Sequence, residues 1–246
     1  MPRLEPYSKQ LDYSYALGLY PSISLLETRP ECAQRLLLSQ DALKDAGGAG
    51  KLREQCARLG IREELADRVL RRESGKDNCF AALVFKKYYC DLDGSLPHAV
   101  LCQISDLGNL GTILRSAVAF GYRDVALIRP CVDPFDPHVI RASMGAGFRL
   151  RLRVYDNFDA YRREFPDHAC YPFMLGGAQE LNALAPSAPR RHSLIFGNEA
   201  RGLDTGFASV GQSVLIPQSR EIDSLNLSVA ASIAMYTFSN SGKASL

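Results

Sequence analysis

An α/β fold with a mainly parallel sheet, preceded by a smaller α/β domain, is what this sequence predicts, on three observations. After residue 97, short apolar runs recur with helical patterns between them, the alternation expected of βαβ units. Three of those runs break into glycine, amide and charged residues before a helical pattern resumes, which is how an open α/β sheet presents groups at the carboxyl ends of its strands. A length of 246 residues suits one moderate domain with a smaller one beside it.

Composition narrows the class. An apolar fraction of 46% supplies a sizeable core, and a net charge of +2 neither demands nor excludes a polyanionic partner, because local distribution decides that. The cysteines (Cys32, Cys56, Cys79, Cys90, Cys102, Cys131, Cys170) are scattered without a Cys-x-x-Cys pair. Neither a metal site nor a disulfide framework is expected, and the thiols read as reduced packing residues of a cytoplasmic protein. Met1-Pro2-Arg3-Leu4-Glu5-Pro6 lacks the apolar core of a signal peptide, and no apolar run reaches the roughly 18 to 20 residues of a membrane span.

In chain order, residues 23–72 carry a helical, charged pattern broken by the flexible Ala46-Gly47-Gly48-Ala49-Gly50. Ala81-Ala82-Leu83-Val84-Phe85 reads as a strand, and Asp91-Leu92-Asp93-Gly94-Ser95-Leu96-Pro97 has the turn chemistry of a linker, placing domains at 1–95 and 96–246. Strand-like runs follow at 99–104, 125–128, 150–155, 171–175, 193–196 and 214–216.

The first break follows 99–104, where Ser105-Asp106-Leu107-Gly108 turns into a helix carrying Ile113, Leu114, Ala117 and Val118. Asn109 and Gly111 near its start are expected to leave backbone N–H groups free for a polar ligand edge, and Arg115 lies about one and a half turns on, facing ligand or solvent. The second follows Ser193-Leu194-Ile195-Phe196. Gly197 lets backbone approach a flat ligand, and Asn198-Glu199 supply polar side chains, as a plain loop with a capping acid would also do. In the third, Ile216-Pro217 ends a strand and Asp223 or Ser224 begins a long helix as N-cap.

Asn109-Leu110-Gly111-Thr112-Ile113-Leu114-Arg115, Phe196-Gly197-Asn198-Glu199-Ala200-Arg201-Gly202, and Ile216-Pro217 with Ser224-Leu225-Asn226-Leu227-Ser228-Val229-Ala230-Ala231 resemble the three signature motifs of the SPOUT RNA methyltransferases, specifically the SpoU/TrmH type that methylates ribose 2′-hydroxyls. The resemblance covers residues 99–240. It implies a SPOUT α/β domain with a C-terminal trefoil knot, a homodimer, S-adenosyl-L-methionine as cofactor, no metal, and RNA as partner. Ribosomal RNA is favoured over transfer RNA because a separate N-terminal domain is present. Gly18-Leu19-Tyr20-Pro21-Ser22-Ile23-Ser24-Leu25-Leu26 and Asn78-Cys79-Phe80-Ala81-Ala82-Leu83 resemble the L30e-like substrate-binding domain that precedes the catalytic domain in many such enzymes.

By the same resemblance Arg115 is catalytic, Asn109 organises it, Glu199 orients it, and Ser224 and Asn226 line the active site. Leu175, Gly176, Gly197, Asn198, Ile216, Pro217 and Leu225 hold the cofactor; Ala200 stands where many relatives have glycine. A neutral ribose hydroxyl attacks a sulfonium methyl poorly unless its proton is removed or its developing charge is stabilised. A guanidinium, with a pKa above about 12, does the first reluctantly and the second as a fixed cation; the sequence leaves both open.

Residues 133–146 resemble the family's helix ending in Ser-x-Gly-Ala, with Arg141 facing RNA phosphate or solvent. Arg149, Arg151 and Arg153 alternate and so share one strand face, a stripe suited to RNA, while Arg68, Arg71 and Arg72 share a helical face in the first domain. Two rivals stand beside this reading. A non-catalytic RNA-binding or ribosome-assembly factor keeping the fold has no need of Asn109, Arg115, Glu199, Ser224 and Asn226 together. A nucleotide-binding metabolic enzyme lacks its Gly-x-Gly-x-x-Gly, since Gly145-Ala146-Gly147 runs into Phe148-Arg149-Leu150 ahead of a strand.

Overall fold

The computed structural model describes residues 4–44, 47–76, 78–184, 189–219 and 221–240. Two compact units emerge: one of Met1–Tyr88 with Asp133–Arg149, the other of Tyr89–Val132 with Leu150–Leu246. The first begins with β1 (Tyr13–Leu17), α1 (Leu19–Thr28), β2 (Ala33–Leu38), α2 (Gly48–Arg58), β3 (Arg62–Leu65), α3 (Asp67–Ser74) and β4 (Ala81–Lys86). The second opens with β5 (His98–Cys102), α4 (Leu107–Ala119) and β6 (Asp124–Ile128), after which α5 (Pro137–Ala142) belongs to the first. The second resumes with β7 (Arg151–Tyr155), α6 (Phe158–Glu164), β8 (Ala169–Pro172), β9 (Gln179–Glu180), α7 (Leu181–Leu184), β10 (His192–Phe196), β11 (Val214–Leu215) and α8 (Leu227–Asn240).

In the first unit the described strands form a sheet of order β1-β4-β2-β3, with β4 antiparallel to both neighbours and β3 parallel to β2. The helical reading of 23–72 therefore missed two strands, for two physical reasons. Leu36, Leu37 and Leu38 are all buried, so β2 shows no in–out alternation. Arg62-Glu63-Glu64-Leu65 is a charged edge strand, the composition that keeps an edge from pairing with other chains. Of the glycine-rich stretch, Ala46 lies outside the described residues and Gly48 starts α2.

The segment 133–149 completes this first core. Lys87 Nζ and Tyr7 Oη each donate to Asp133 Oδ2 at 2.7 Å, and the Phe135 N–H donates to Asp133 Oδ1 at 2.8 Å. Lys87 and Asp133 side chains are 9% and 5% exposed, and removing one partner of such a buried pair costs about 3–5 kcal/mol. Phe135 and Phe148 pack edge-on against Phe85. Gly145 (φ +76°) approaches the Pro21 backbone too closely for a Cβ.

In the second unit five described strands run parallel in the order β7-β6-β5-β10-β8. Chain direction across the sheet reverses between β5 and β10, so the crevice beyond their carboxyl ends is the ligand position of such folds. The stretch 91–97 is no loose linker: Leu92 is buried, and the Asp93 N–H donates at 2.9 Å to Asp124, a fully buried carboxylate on which Arg151 also forks. The unit boundary accordingly falls at Tyr88–Tyr89.

Near the opposite end of these strands lies a buried polar chain. His98 Nε2 donates to the Asp93 carbonyl and His168 Nε2 to the Gly94 carbonyl, both at 3.0 Å, while Tyr161 and Ser193 hydroxyls link the two Nδ1 atoms. Tyr122 Oη donates to His192 Nε2 at 2.8 Å. Burial pushes His98 down to about 4 and holds His168 and His192 below the usual imidazole value.

Two outcomes are expected. Imidazoles that bind protons more weakly folded than unfolded let the unfolded chain protonate first, so their stabilisation is whole above pH 6.5 and is lost as pH falls toward about 4. Urea titrations should show unfolding free energy falling by a few kcal/mol across that window, with a shallower fall in His98→Gln; identical slopes in the two proteins would contradict this assignment. Separately, residues 89–246 expressed alone should leave the amides of 133–149 unprotected in hydrogen exchange, and whole-chain protection there would show that the segment folds without the first unit.

Candidate active site

The site is built on the loops that follow β5 and β10. After β5, Asp106 caps α4, its Oδ1 accepting from the Asn109 N–H at 2.6 Å. The amide expected to face a ligand is thus already satisfied, because an aspartate three residues upstream competes for it.

β10 ends at Gly197, where any Cβ would overlap the backbone of Gly202 and Leu203. A tight turn follows: the Asn198 N–H donates to the Gly202 carbonyl at 3.2 Å and the Gly202 N–H returns to the Asn198 carbonyl at 2.8 Å. Asn198 Oδ1 accepts from the N–H groups of Ala200 (3.0 Å) and Arg201 (3.3 Å), and its Nδ2 donates to the Gln103 carbonyl at 2.9 Å. One amide side chain thereby stiffens its own turn and ties it to the end of β5.

Glu199 makes the second tie. Its Oε1 accepts from the Asp106 N–H (3.0 Å), and its Oε2 from the Ser105 N–H (3.2 Å), the Ser105 hydroxyl (2.8 Å) and Asn198 Nδ2 (3.1 Å). Burial opposes the charge, but the backbone N–H groups and the Ser105 hydroxyl outweigh it and hold the carboxyl below its usual range.

The third cluster joins through α8. Asn226, not Asp223 or Ser224, is its cap: Oδ1 accepts from the Ser228 N–H at 2.8 Å and the Ser228 hydroxyl at 2.7 Å. Its Nδ2 donates to Asn109 Oδ1 at 3.0 Å, and Ser116 and Ser232 hydroxyls meet at 2.7 Å farther along the α4–α8 contact. The cap falls two or three residues later than expected because, among the described residues, Asn226 Oδ1 is the side-chain acceptor that reaches the first amides of the helix.

Arg115 is exposed on α4, and among the described residues its guanidinium makes no hydrogen bond or ion pair. The arrangement in which Glu199 orients it is not the one present, since Glu199 is occupied by Ser105, Asp106 and Asn198, and Asn109 turns to Asn226. The arginines read as RNA contacts are likewise engaged. Arg141 donates to the Ser74 carbonyl at 3.2 Å, Arg149 pairs with Glu27 at 2.7 Å, and Arg151 forks on Asp124. The expected stripe dissolves because Arg149 ends a 3₁₀ turn ahead of the strand, while Arg153 is taken by Asp91 and Glu164.

Between these loops and residues 173–176, 214–218 and 224–225 lies a cavity of about 380 Å³. It gathers Leu175, Gly176, Gly197, Asn198, Ile216 and Leu225, with Glu199 and Ser224 also on its wall; Pro217 is not part of the lining, whereas Gln218 is. Phe173 and Phe196, stacked at 4.8 Å, contribute apolar surface, and around Gly176 there is open space where a side chain would stand. Asn109, Arg115 and Asn226 lie outside the lining. Such a mix of apolar surface, glycine backbone and a few polar groups suits a flat heterocycle with a polar tail.

Sequence reasoning passed over Ser105, whose signal is visible only as a hydroxyl beside a capping aspartate, and over Phe173, Gln218 and Arg201. Among the described residues no group of three or more His, Cys, Asp or Glu is placed to hold a metal, no disulfide forms, and no helix is long and apolar enough to cross a membrane.

Comparison with known proteins adds a family. Residues 97–236 match the SpoU rRNA Methylase family. The chain is 34% identical over 144 residues to ribosomal RNA small subunit methyltransferase G 2 of Syntrophobacter fumaroxidans, covering 58% of this chain and 27% of that one. It is 32% identical over 150 residues to an uncharacterised tRNA/rRNA methyltransferase of Synechocystis, covering 57% and 53%. The chain thus spans between about a quarter and half the length of these relatives. In fold it is similar to the AdoMet-bound rRNA methyltransferase of Sinorhizobium meliloti, with a TM-score of 0.78 at 23% identity over 96% of this chain and 88% of that one.

Glu199→Gln should destabilise the protein by about 1–3 kcal/mol in urea titrations, because an amide NH₂ then confronts the N–H donors of loop 105–106. Wild-type stability in this variant would show that the tie carries no weight.

Proposed function

The chain belongs to the SpoU rRNA methylase family, and from that premise we propose that it methylates a ribose 2′-hydroxyl of RNA, using S-adenosyl-L-methionine and acting on ribosomal RNA in the cytoplasm as a homodimer. What carries this reading is the joining of all three sequence clusters at the β5/β10 crevice, through Glu199 to loop 105–106 and through Asn226 to Asn109. A module that only bound RNA would have no use for a ligand-sized cavity beside that junction. The names of the relatives favour ribosomal RNA; transfer RNA is the second reading, favoured by the Synechocystis relative, whose name covers both.

The residues present fit the cofactor. The cavity falls in the roughly 300–1,000 Å³ range of small-ligand sites, and Phe173 and Phe196 offer apolar surface. We assign Leu175, Gly176, Gly197, Asn198, Ile216 and Leu225 to its binding, with Pro217 fixing the backbone between Ile216 and Gln218. When bound, S-adenosylmethionine supplies an electrophilic sulfonium methyl. Arg115 then acts as a fixed cation on the developing ribose oxyanion and its neighbouring phosphate, because guanidiniums keep their protons and its own is unengaged among the described residues. Asn109, Asn226 and Glu199 position the helix that carries it, and Ser224 stands on the cavity wall.

The remaining family features belong to the same proposal. On α8, Ser228, Ala231 and Ala234 are buried, while Val229, Ile233 and Tyr236 stay exposed as an apolar stripe that suits a second copy. The C-terminal trefoil knot implied by the family resemblance belongs to this proposal as well. The first unit, with β4 central in its sheet, serves as the L30e-like module that presents RNA.

Arg115→Ala should lower methyl transfer to RNA by roughly a hundredfold or more while calorimetry shows unchanged S-adenosylmethionine affinity, and Arg115→Lys should recover only part of it. Undiminished transfer in the alanine variant, or a wild-type protein that binds no S-adenosylmethionine, would overturn the assignment.

A further inference from the structure

The RNA phosphates that this reading requires need cations, and the arginines that sequence pattern nominates for them are engaged inside the chain: Arg141 with Ser74, Arg149 with Glu27, Arg151 with Asp124. Arg153 and Arg129 are likewise paired, with Asp91 and Glu164 and with Asp156. Arg201 is different. It lines the mouth of the cavity, is exposed, and among the described residues its guanidinium makes no hydrogen bond or ion pair.

Its backbone, by contrast, is held fast. The Arg201 N–H donates to Asn198 Oδ1, the Asn198–Gly202 turn is closed by two reciprocal backbone bonds, and Gly202 (φ +68°) supplies the left-handed residue that turn needs. A cation on a fixed backbone gives up no main-chain freedom when it meets an anion, so the entropic cost is confined to its own side-chain rotamers. Its neighbour Glu199 makes no ion pair with it, since that carboxylate is turned to Ser105, Asp106 and Asn198.

We propose that Arg201 binds a phosphate of the RNA substrate beside the target nucleotide, at the lip of the cavity. This rests on the functional reading above and names a residue that it leaves unassigned. Two anions could meet Arg201, the carboxylate of the cofactor or an RNA phosphate. Exposure favours the phosphate: a polymer crossing the lip reaches an exposed guanidinium, and its phosphate sheds counterions on meeting that charge.

The test uses the full chain and the cell's own ribosomal RNAs transcribed in vitro, hence free of modification. Filter retention measures RNA affinity against salt, calorimetry measures S-adenosylmethionine affinity, and tritium transfer measures methylation. Arg201→Ala should bind RNA roughly tenfold more weakly, with the slope of log affinity against log salt shallower by about 0.7, the share of one single-strand phosphate. Cofactor affinity should stay unchanged, and Arg201→Lys should restore the salt slope. Weakened cofactor binding with RNA affinity intact would overturn the proposal and assign Arg201 to the cofactor carboxylate. Unchanged RNA affinity would overturn it as well. A wild-type chain that binds the transcripts without methylating them would defeat the functional reading instead, and the Arg201→Ala retention curves would still decide this one.

Discussion

The carboxylate of Glu199, at the end of β10, takes the backbone N–H groups of Ser105 and Asp106 at the end of β5. Those two strands flank the point where the strand order reverses, and parallel pairing fixes their registry only as far as Phe196 against Leu101. Beyond that pair the two loops are joined to each other by the side chains of Glu199 and Asn198. Hydrogen bonds to an ionised acceptor are worth about 1.5–3 kcal/mol, enough to set a loop but not a fold. The start of α4, and with it the placement of Asn109 and Arg115, follows from this tie.

A second constraint comes from α8. Asn226 spends its carbonyl oxygen on capping its own helix and its amide on Asn109, so one residue both starts α8 and docks it on α4. The serine pair Ser116–Ser232 repeats the contact farther along. The result is a cavity walled by loops that are individually short and jointly fixed, beside a helix whose arginine remains unengaged among the described residues. At the opposite end of the strands the polar groups are buried and mutually satisfied, around His98, Tyr161, Ser193 and Asp124. Polar residues there stabilise; at the carboxyl ends they are left facing a cavity.

Much of this was legible in the sequence. The strands of the second unit fall within a few residues of the apolar runs, because in a parallel sheet covered on both faces burial writes itself as a continuous apolar string such as Val100-Leu101 or Leu194-Ile195-Phe196. Gly197 was read as a place where backbone meets a flat ligand, and the close approach present is to the chain's own Gly202 and Leu203. What was not legible was partnership. Glu199 reads as a polar residue near a ligand, and nothing local says that its partners are Ser105 and Asp106, ninety-odd residues away. Arg149 and Arg151 look like one stripe only while residues 149–155 are taken as one strand. β3 was invisible because an edge strand needs no apolar face, and 133–149 showed no sign in its sequence of belonging with residues 1–88.

The central claim is that a ribose 2′-hydroxyl of RNA is methylated at the β5/β10 crevice. Mapping 2′-O-methyl groups across total RNA from cells with and without the gene tests it most directly. A single ribosomal RNA position that loses its methyl group in the absence of the gene, and regains it on complementation with the wild-type chain but not with Arg115→Ala, is the expected result. An unchanged methylation profile would contradict the claim.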